Sequence, residues 1–507
     1  MWKMFGVALL LALAGAAGAR AEGLGGDVRA WRLAHEGQIV GNLAAFTRIP
    51  SVAADPAGLN AMADRLGDEL RRRGFQTREL SAGDSDPKVV YGAFDTPGAV
   101  RTVVFYAHYD GQPVTPSQWR SDPFEPVMRM GAGPDASDVD WRAAKPPLNP
   151  EWRLFGRAAS DDKSSITAFL AAFDALAAVG RKPTVNIKVF WEGEVERGSP
   201  HLAQTLAANR DLLAADLWLI GDAPVHQSRK RMIYFGARGS LSLDMTVYGP
   251  ARALHDGHYG NWAPNPAAMA AQLITDLRDP EGRVLIPGFL DDVRPLTPAE
   301  RAAIANLPPV EDSLKRQFGI GASEGAEGLT ASTMRPALNI RGLRSGEVGV
   351  EAANAIPTDA TISIDFRLVP DQTPEGVRRE LEAYLRDKGW TLVSETPDAA
   401  TRAAHPRLIQ LAWGDGYPAY RDDMSSPAGR AVVASASRAA GEPVAVLPMM
   451  GASVPIFLFD QAFHKPVIGL PIVNHDNNQH AANENARLQN LWDGVETYAA
   501  MMANLSW

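Results

Sequence analysis

The stretch Trp191-Glu192-Gly193-Glu194-Val195-Glu196-Arg197-Gly198-Ser199 packs three carboxylates into five residues at the end of an apolar, β-rich run. An acidic cluster of this kind is most simply a solvated turn. A strand that stops on acids is also where an α/β enzyme places its chemistry. Four other segments share the property. Val103-Val104-Phe105-Tyr106-Ala107-His108-Tyr109-Asp110 ends on His-x-Asp, which suits a metal-bound imidazole oriented by a carboxylate, although a lone strand-end His is more often structural. Ser160-Asp161-Asp162-Lys163 stands at a helix start, where Asp also serves as an N-cap. Gly221-Asp222-Ala223-Pro224 reads equally as a Gly-Asp turn. Asn474-His475-Asp476-Asn477-Asn478-Gln479-His480-Ala481-Ala482-Asn483-Glu484 comes directly after a strand and is too polar for a core.

Together these segments bring His and carboxylates to the carboxyl ends of strands, where an α/β sheet gathers a site. The chain has no cysteine, so a metal would be held by His and carboxylate. That donor set suits zinc, with manganese or cobalt as alternatives. Two ions sharing a carboxylate, about 3.5–4 Å apart, would serve hydrolysis by activating water and polarising a carbonyl.

The elements that must position these residues alternate. Helical patterns over 27–46, 59–74, 163–179 and 201–209 interleave with β-rich runs over 89–94, 102–107, 184–191 and 217–221. Residues 117–149 read as a long surface loop. The texture changes after 236–239. Half-exposed strands over 240–247 and 361–368 and helices over 267–278 and 373–388 indicate a smaller α+β unit, with 279–333 irregular. From about residue 425 the α/β pattern returns, with a helix over 429–440, a strand over 466–472 and a closing helix over 487–505. The expected fold is therefore an α/β catalytic domain with a central, mostly parallel sheet (22–238 and 425–507), interrupted by an inserted α+β domain (239–424).

At 507 residues the chain exceeds one simple core, and 46% hydrophobic with 21% charged residues is ordinary for a globular protein. A net charge of -9 gives no reason to expect nucleic acid. Residues 1–21 read as a signal peptide: a basic start, an apolar run over 4–17, and Ala19-Arg20-Ala21 as a small-x-small cleavage site. The apolar run is too short for a membrane anchor. The mature protein is expected to be periplasmic or secreted, with no membrane attachment after cleavage.

In this order the motifs, from Ile49-Pro50-Ser51-Val52 to His480-Ala481-Ala482-Asn483-Glu484, resemble the dinuclear zinc peptidases that include carboxypeptidase G, aminoacylase and the carnosinase-like dipeptidases. The resemblance implies two divalent ions, with His108 and Asp222 on one, Glu196 and His480 on the other, and Asp161 bridging both. Asp110 would orient His108, and the Asp161-Asp162 peptide would be cis. The inserted domain would be a lid through which the chain forms a homodimer. From it, His255 in Leu254-His255-Asp256-Gly257-His258-Tyr259-Gly260 would stabilise the oxyanion in the neighbouring subunit, assisted by Asn354. Arg367 would bind the substrate's terminal carboxylate, beside a loop Gly451-Ala452-Ser453-Val454-Pro455 that contributes Gly451 and Ser453. His226, His258 and His475 are expected to be structural. The implied reaction is hydrolysis of a peptide or N-acyl amino acid next to a free carboxylate, by a water bridging the two ions.

One position departs from that family. Its strand runs into an adjacent Glu-Glu pair and then x-Gly-Ser, the first Glu being the general base and the second a ligand. Alignment on Arg197-Gly198-Ser199 puts Glu196 on the metal and Val195 at the base. Valine accepts no proton. Three readings are open: Glu194 swings into the base position, the metal-activated water reacts unaided in a slow enzyme, or the protein binds peptides without turnover. Residues i and i+2 of a strand share a face, so an extended chain would point Glu194 with Glu196.

Overall fold

The computed structural model describes residues 23–83 and 86–507. The signal peptide expected over residues 1–21 lies outside them. No helix among the described residues is long and apolar enough to cross a membrane.

An eight-stranded sheet organises the larger part of the chain, in the order Gln76–Leu80, Val89–Phe94, Asn186–Glu192, Thr102–His108, Leu217–Ile220, Val467–Gly469, Met232–Tyr234 and Ala445–Leu447. The four strands from Asn186–Glu192 to Val467–Gly469 are mutually parallel. Alternation along them feeds two cores. Val103, Phe105 and Ala107 face the helices Lys3–Thr47 (described from residue 23), Lys163–Ala178 and Leu488–Asn504, while Val104 and Tyr106 face Leu202, Leu206 and Phe459. The sheet is thus covered on both faces, and its free functional surface is the row of carboxyl ends.

The second sheet is antiparallel apart from its last pair and runs Ala337–Arg344, Asp359–Leu368, Gly239–Tyr248, Leu408–Tyr417, Thr391–Val393. Its inner face, including Leu241, Leu243, Ile362, Ile364 and Phe366, packs on the helices Pro266–Leu277 and Pro374–Asp387. The opposite face carries Ser240, Ser242, Ser363, Asp365 and Arg367, so it is the polar side that looks out. The segment expected to be irregular, 279–333, holds three short helices: Pro298–Ala305, Glu311–Phe318 and Leu329–Thr333. The first begins on a capping box between Thr297 and Glu300, with Pro298 immediately after the cap. It packs against the Ala445–Leu447 strand of the large sheet, which ties the inserted segment to the main domain.

Candidate metal centre

Four adjacent parallel strands end at one cavity. His108 closes its strand, Asp222 lies two residues beyond Leu217–Ile220, and Glu196 sits in a 3-10 turn, Val195–Arg197, just past Asn186–Glu192. His480 comes from the loop after Val467–Gly469, and Asp161 from the approach to the Lys163–Ala178 helix. The cavity has a volume of about 560 Å³ and is lined by all five. His108 Nε2 is 3.0 Å from Asp161 Oδ1, and His480 Nε2 is 3.1 Å from Asp161 Oδ2 and 3.2 Å from Glu196 Oε2. Asp161 therefore stands between two imidazoles. The Asp161-Asp162 peptide is cis, and His480 (φ 63°) and Ala223 (φ 117°) hold left-handed backbone at the cavity wall.

The site carries more buried negative charge than its own residues neutralise. Burial, with Asp161 alongside, pushes Glu196 up to about 8 and Asp222 up to about 6. Against the cost of its own burial, Asp161 is held well below the usual carboxylate range by the hydrogen bond from His108 and by the His480 imidazole beside it. Its Oδ2 finds no well-aligned donor, and donor atoms of His108, Asp161 and Glu196 lie within 4.8 Å of one another. An all-N/O donor set with surplus carboxylate charge fits divalent cations.

Asp110 does more than orient His108. Its Oδ1 is 3.2 Å from His108 Nδ1, and the same carboxylate accepts the backbone N–H groups of Val195 (3.3 Å) and Glu196 (3.0 Å). It is fully buried. The turn itself needs Gly193, because a Cβ there would lie 2.4 Å from the Tyr109 hydroxyl. Behind it, Ile49-Pro50-Ser51-Val52 braces the His108 strand end: Ser51 Oγ donates to the Tyr109 carbonyl (2.6 Å) and the Gly111 N–H to the Ser51 carbonyl (2.9 Å).

Glu194 does not reach the base position that strand alternation predicts for it. The strand ends at Glu192 and the chain turns into a 3-10 helix, so the i, i+2 rule no longer applies. The Glu194 carboxylate is buried away from the cavity. It accepts the His201 backbone N–H at 2.9 Å and lies 2.9 Å from His201 Nδ1. Val195 lines the cavity in its place. Glu194→Gln, assayed by kcat and by thermal melting, is expected to lower stability slightly. It should leave kcat far from the roughly 10²–10⁴-fold loss that removal of a general base brings.

The lid residues divide. Arg367 donates from Nη1 to Ser453 Oγ (2.8 Å) and from Nε to Asp365 Oδ2 (2.7 Å), and Ser453 lines the cavity. Gly451 is exposed and abuts Thr333, whereas its neighbours Met450 and Ala452 line the wall. His255 and Asn354 lie together on the small ribbon of Leu254–His255 and Ala355–Ile356, with the Asp256 N–H on the Asn354 carbonyl (3.2 Å). Neither lines the cavity within one chain. His226 and His475 stand outside the ligand group, and burial lowers both imidazoles from their ordinary value.

Three contributions escape a reading of single motifs. Gln112 donates to Glu196 Oε2 (2.8 Å). Its only sequence signal is its place two residues beyond Asp110. Glu484 accepts from Arg157, Ser160 and the backbone of Ala158, Ser160 and Asp161, fixing the loop that presents Asp161. Glu192, the last strand residue, is buried against the Tyr106 hydroxyl (2.8 Å), and burial pushes it up to about 7. A carboxyl raised on folding contributes stability that is complete below its unfolded pKa and is lost as pH rises through the folded one. Between about pH 4.5 and 7 Glu192 therefore costs the fold up to about 3 kcal/mol. Urea unfolding is expected to show Glu192→Gln gaining on the wild type as pH is raised from 5 to 8.

Comparison with known proteins bears on the same residues. The model of Peptidase family M20/M25/M40 matches residues 104–504. The Cys-Gly metallodipeptidase dug1 of Schizosaccharomyces pombe is 26% identical over 491 residues, covering 92% of this chain and 96% of that protein. The Beta-Ala-His dipeptidase of Homo sapiens is 25% identical over 472 residues, 90% of this chain and 85% of that one. An M20 family metallo-carboxypeptidase from Sulfolobus solfataricus superposes with a TM-score of 0.73 at 26% identity, covering 92% of this chain and 99% of that structure. With its ligand-type residues gathered at one cavity and the family model spanning most of its length, the chain belongs to peptidase family M20/M25/M40.

Proposed function

We propose that the protein is an exported, metal-dependent dipeptidase that hydrolyses a peptide or N-acyl amide bond next to a free carboxylate. The observation that carries this is the continuity of one cavity from the five ligand-type residues to Ser453, on which Arg367 rests. The dipeptidase relatives support the substrate size. His108, Asp161, Glu196, Asp222 and His480 would hold two divalent ions, zinc by donor type. When bound, the ions supply Lewis acidity and a nucleophilic water at neutral pH.

The chain's own residues do the rest. Arg367 offers a planar fork for the substrate carboxylate, with Ser453 holding one arm in place. Asp110 fixes His108 and the Glu196 turn together. His255 and Asn354 act in the partner's cavity of a homodimer joined through the lid. The exposed apolar residues Val348, Val350 and Trp262, close to them in sequence, suit that interface. Export rests on the signal peptide read from residues 1–21.

A second reading is favoured by Val195: a catalytically impaired homologue that binds peptides through its metals. Purified protein loaded with zinc or manganese, its metal content measured, is to be assayed on a dipeptide panel before and after chelation. Turnover that is lost with the metal and restored by it supports the enzyme. Metal-loaded protein that binds dipeptides without cleaving them overturns the enzyme and leaves the binding protein.

A further inference from the structure

Besides the five ligand-type residues, the cavity is lined by apolar residues drawn from both halves of the molecule. Tyr417 ends the last long strand of the lid sheet, and Phe457 begins the helix Phe457–Phe463 of the main domain. Their rings stack at 5.4 Å between centroids with an interplanar angle of 7°. Both line the cavity, with Met450, Val454 and Leu458 continuing the surface. Tyr417 and Arg367 pair with Ser240 from its two sides in the lid sheet, so their side chains leave the same face, and Ser453, which Arg367 grips, lines the cavity together with Tyr417. The guanidinium, standing just behind the lining, thus reaches the cavity through the Ser453 hydroxyl and shares a sheet face with the aromatic ring.

A carboxylate and the side chain of its own residue branch from one Cα. A terminal carboxylate on Arg367 therefore brings its own side chain to the Tyr417 ring. The five wall residues bear no charge, so a charged side chain would lose its hydration there without a partner. We propose that Tyr417 and Phe457 form the specificity subsite for the carboxyl-terminal residue of the substrate, and that this residue is bulky and apolar, aromatic above all. The proposal rests on the dipeptidase reading for its orientation and deepens it by naming the substrate class.

The test uses the metal-loaded full chain and dipeptides that share an N-terminal alanine: Ala-Gly, Ala-Leu, Ala-Phe, Ala-Asp and Ala-Lys. Burying a large apolar side chain predicts kcat/KM for Ala-Phe about 10- to 100-fold above Ala-Gly, with Ala-Asp and Ala-Lys below Ala-Leu. Tyr417→Ala and Phe457→Thr, each checked for a native melting profile, should collapse the Ala-Phe to Ala-Gly ratio at least to about threefold, chiefly through KM. Tyr417→Phe, which keeps the ring, should retain it. Equal turnover of Ala-Gly and Ala-Phe, or a ratio unchanged in both truncations, overturns the subsite and leaves the dipeptidase standing. If no dipeptide is cleaved, calorimetric binding of Ala-Phe and Ala-Gly decides. A preference for Ala-Phe that Tyr417→Ala abolishes upholds the subsite while the hydrolase reading falls; equal binding overturns the subsite as well.

Discussion

Replacing Val195 by glutamate is expected to raise kcat by about 10²–10⁴-fold in the metal-loaded protein, the range over which general acid–base catalysis operates. The substitution is well placed. Residue 195 lines the cavity beside Glu196, and its backbone N–H is held by Asp110 whatever its side chain. A new carboxylate there would join a buried, acid-rich site in which Glu196 is already pushed up to about 8. The same crowding would lift it from the ordinary carboxylate range toward neutrality, where a general base works best. Val195→Gln, similar in size but unable to accept a proton at useful pH, should give no comparable gain. Steady-state kinetics on dipeptides with metal content measured in parallel checks this. An unchanged kcat at full metal loading would show that the missing carboxylate is not what limits the wild type.

Glu484→Ala should be the most damaging single change outside the ligands. Its carboxylate is 1% exposed and receives Arg157 Nη1 at 2.7 Å together with three backbone N–H groups at 3.0 Å. Removing it leaves a 2% exposed guanidinium without its counter-charge and unpairs those amides. Breaking a buried pair in this way costs about 3–5 kcal/mol. The loop that presents Asp161 loses its brace, and loss of such outer support typically lowers metal affinity about 10–100-fold. Urea unfolding and a metal titration report the two effects separately. Glu484→Gln, which keeps an acceptor for the amides, should fall between. A Glu484→Ala protein that unfolds with the wild type would remove Glu484 from this role.

The gathering of His108, Asp161, Glu196, Asp222 and His480 at one cavity is legible in the sequence because a small vocabulary carries it. In a chain without cysteine, His and carboxylates at strand ends are few, and the parallel sheet brings such ends to one edge whatever the intervening sequence. Glu194 defeats the same reasoning because strand alternation stops one residue pair before it. Glu192 closes the strand, and the 3-10 turn rotates residues 194–197, so that the Glu194 carboxylate accepts the His201 N–H instead of facing the cavity. The helices inside 279–333 run only five to eight residues, too short for a periodic pattern to stand out in a longer window, but the Thr297-Pro298-Ala299-Glu300 spacing does carry a capping signature. Tyr417 and Phe457 leave no mark in the sequence at all. They are 40 residues apart, one ending a strand of the lid sheet and the other opening a helix of the main domain, and only tertiary folding makes them one surface.

Asp110 grips the 195–196 turn by its backbone, and this separates two properties that usually change together. The peptide groups, not the side chain at 195, turn Glu196 into the cavity. Residue 195 is therefore a socket. The grip on Glu196 does not pass through the side chain at 195, so on the proposed reading a lineage could drift between hydrolase and peptide receptor by exchanging that one side chain while the cavity-facing carboxylate keeps its place.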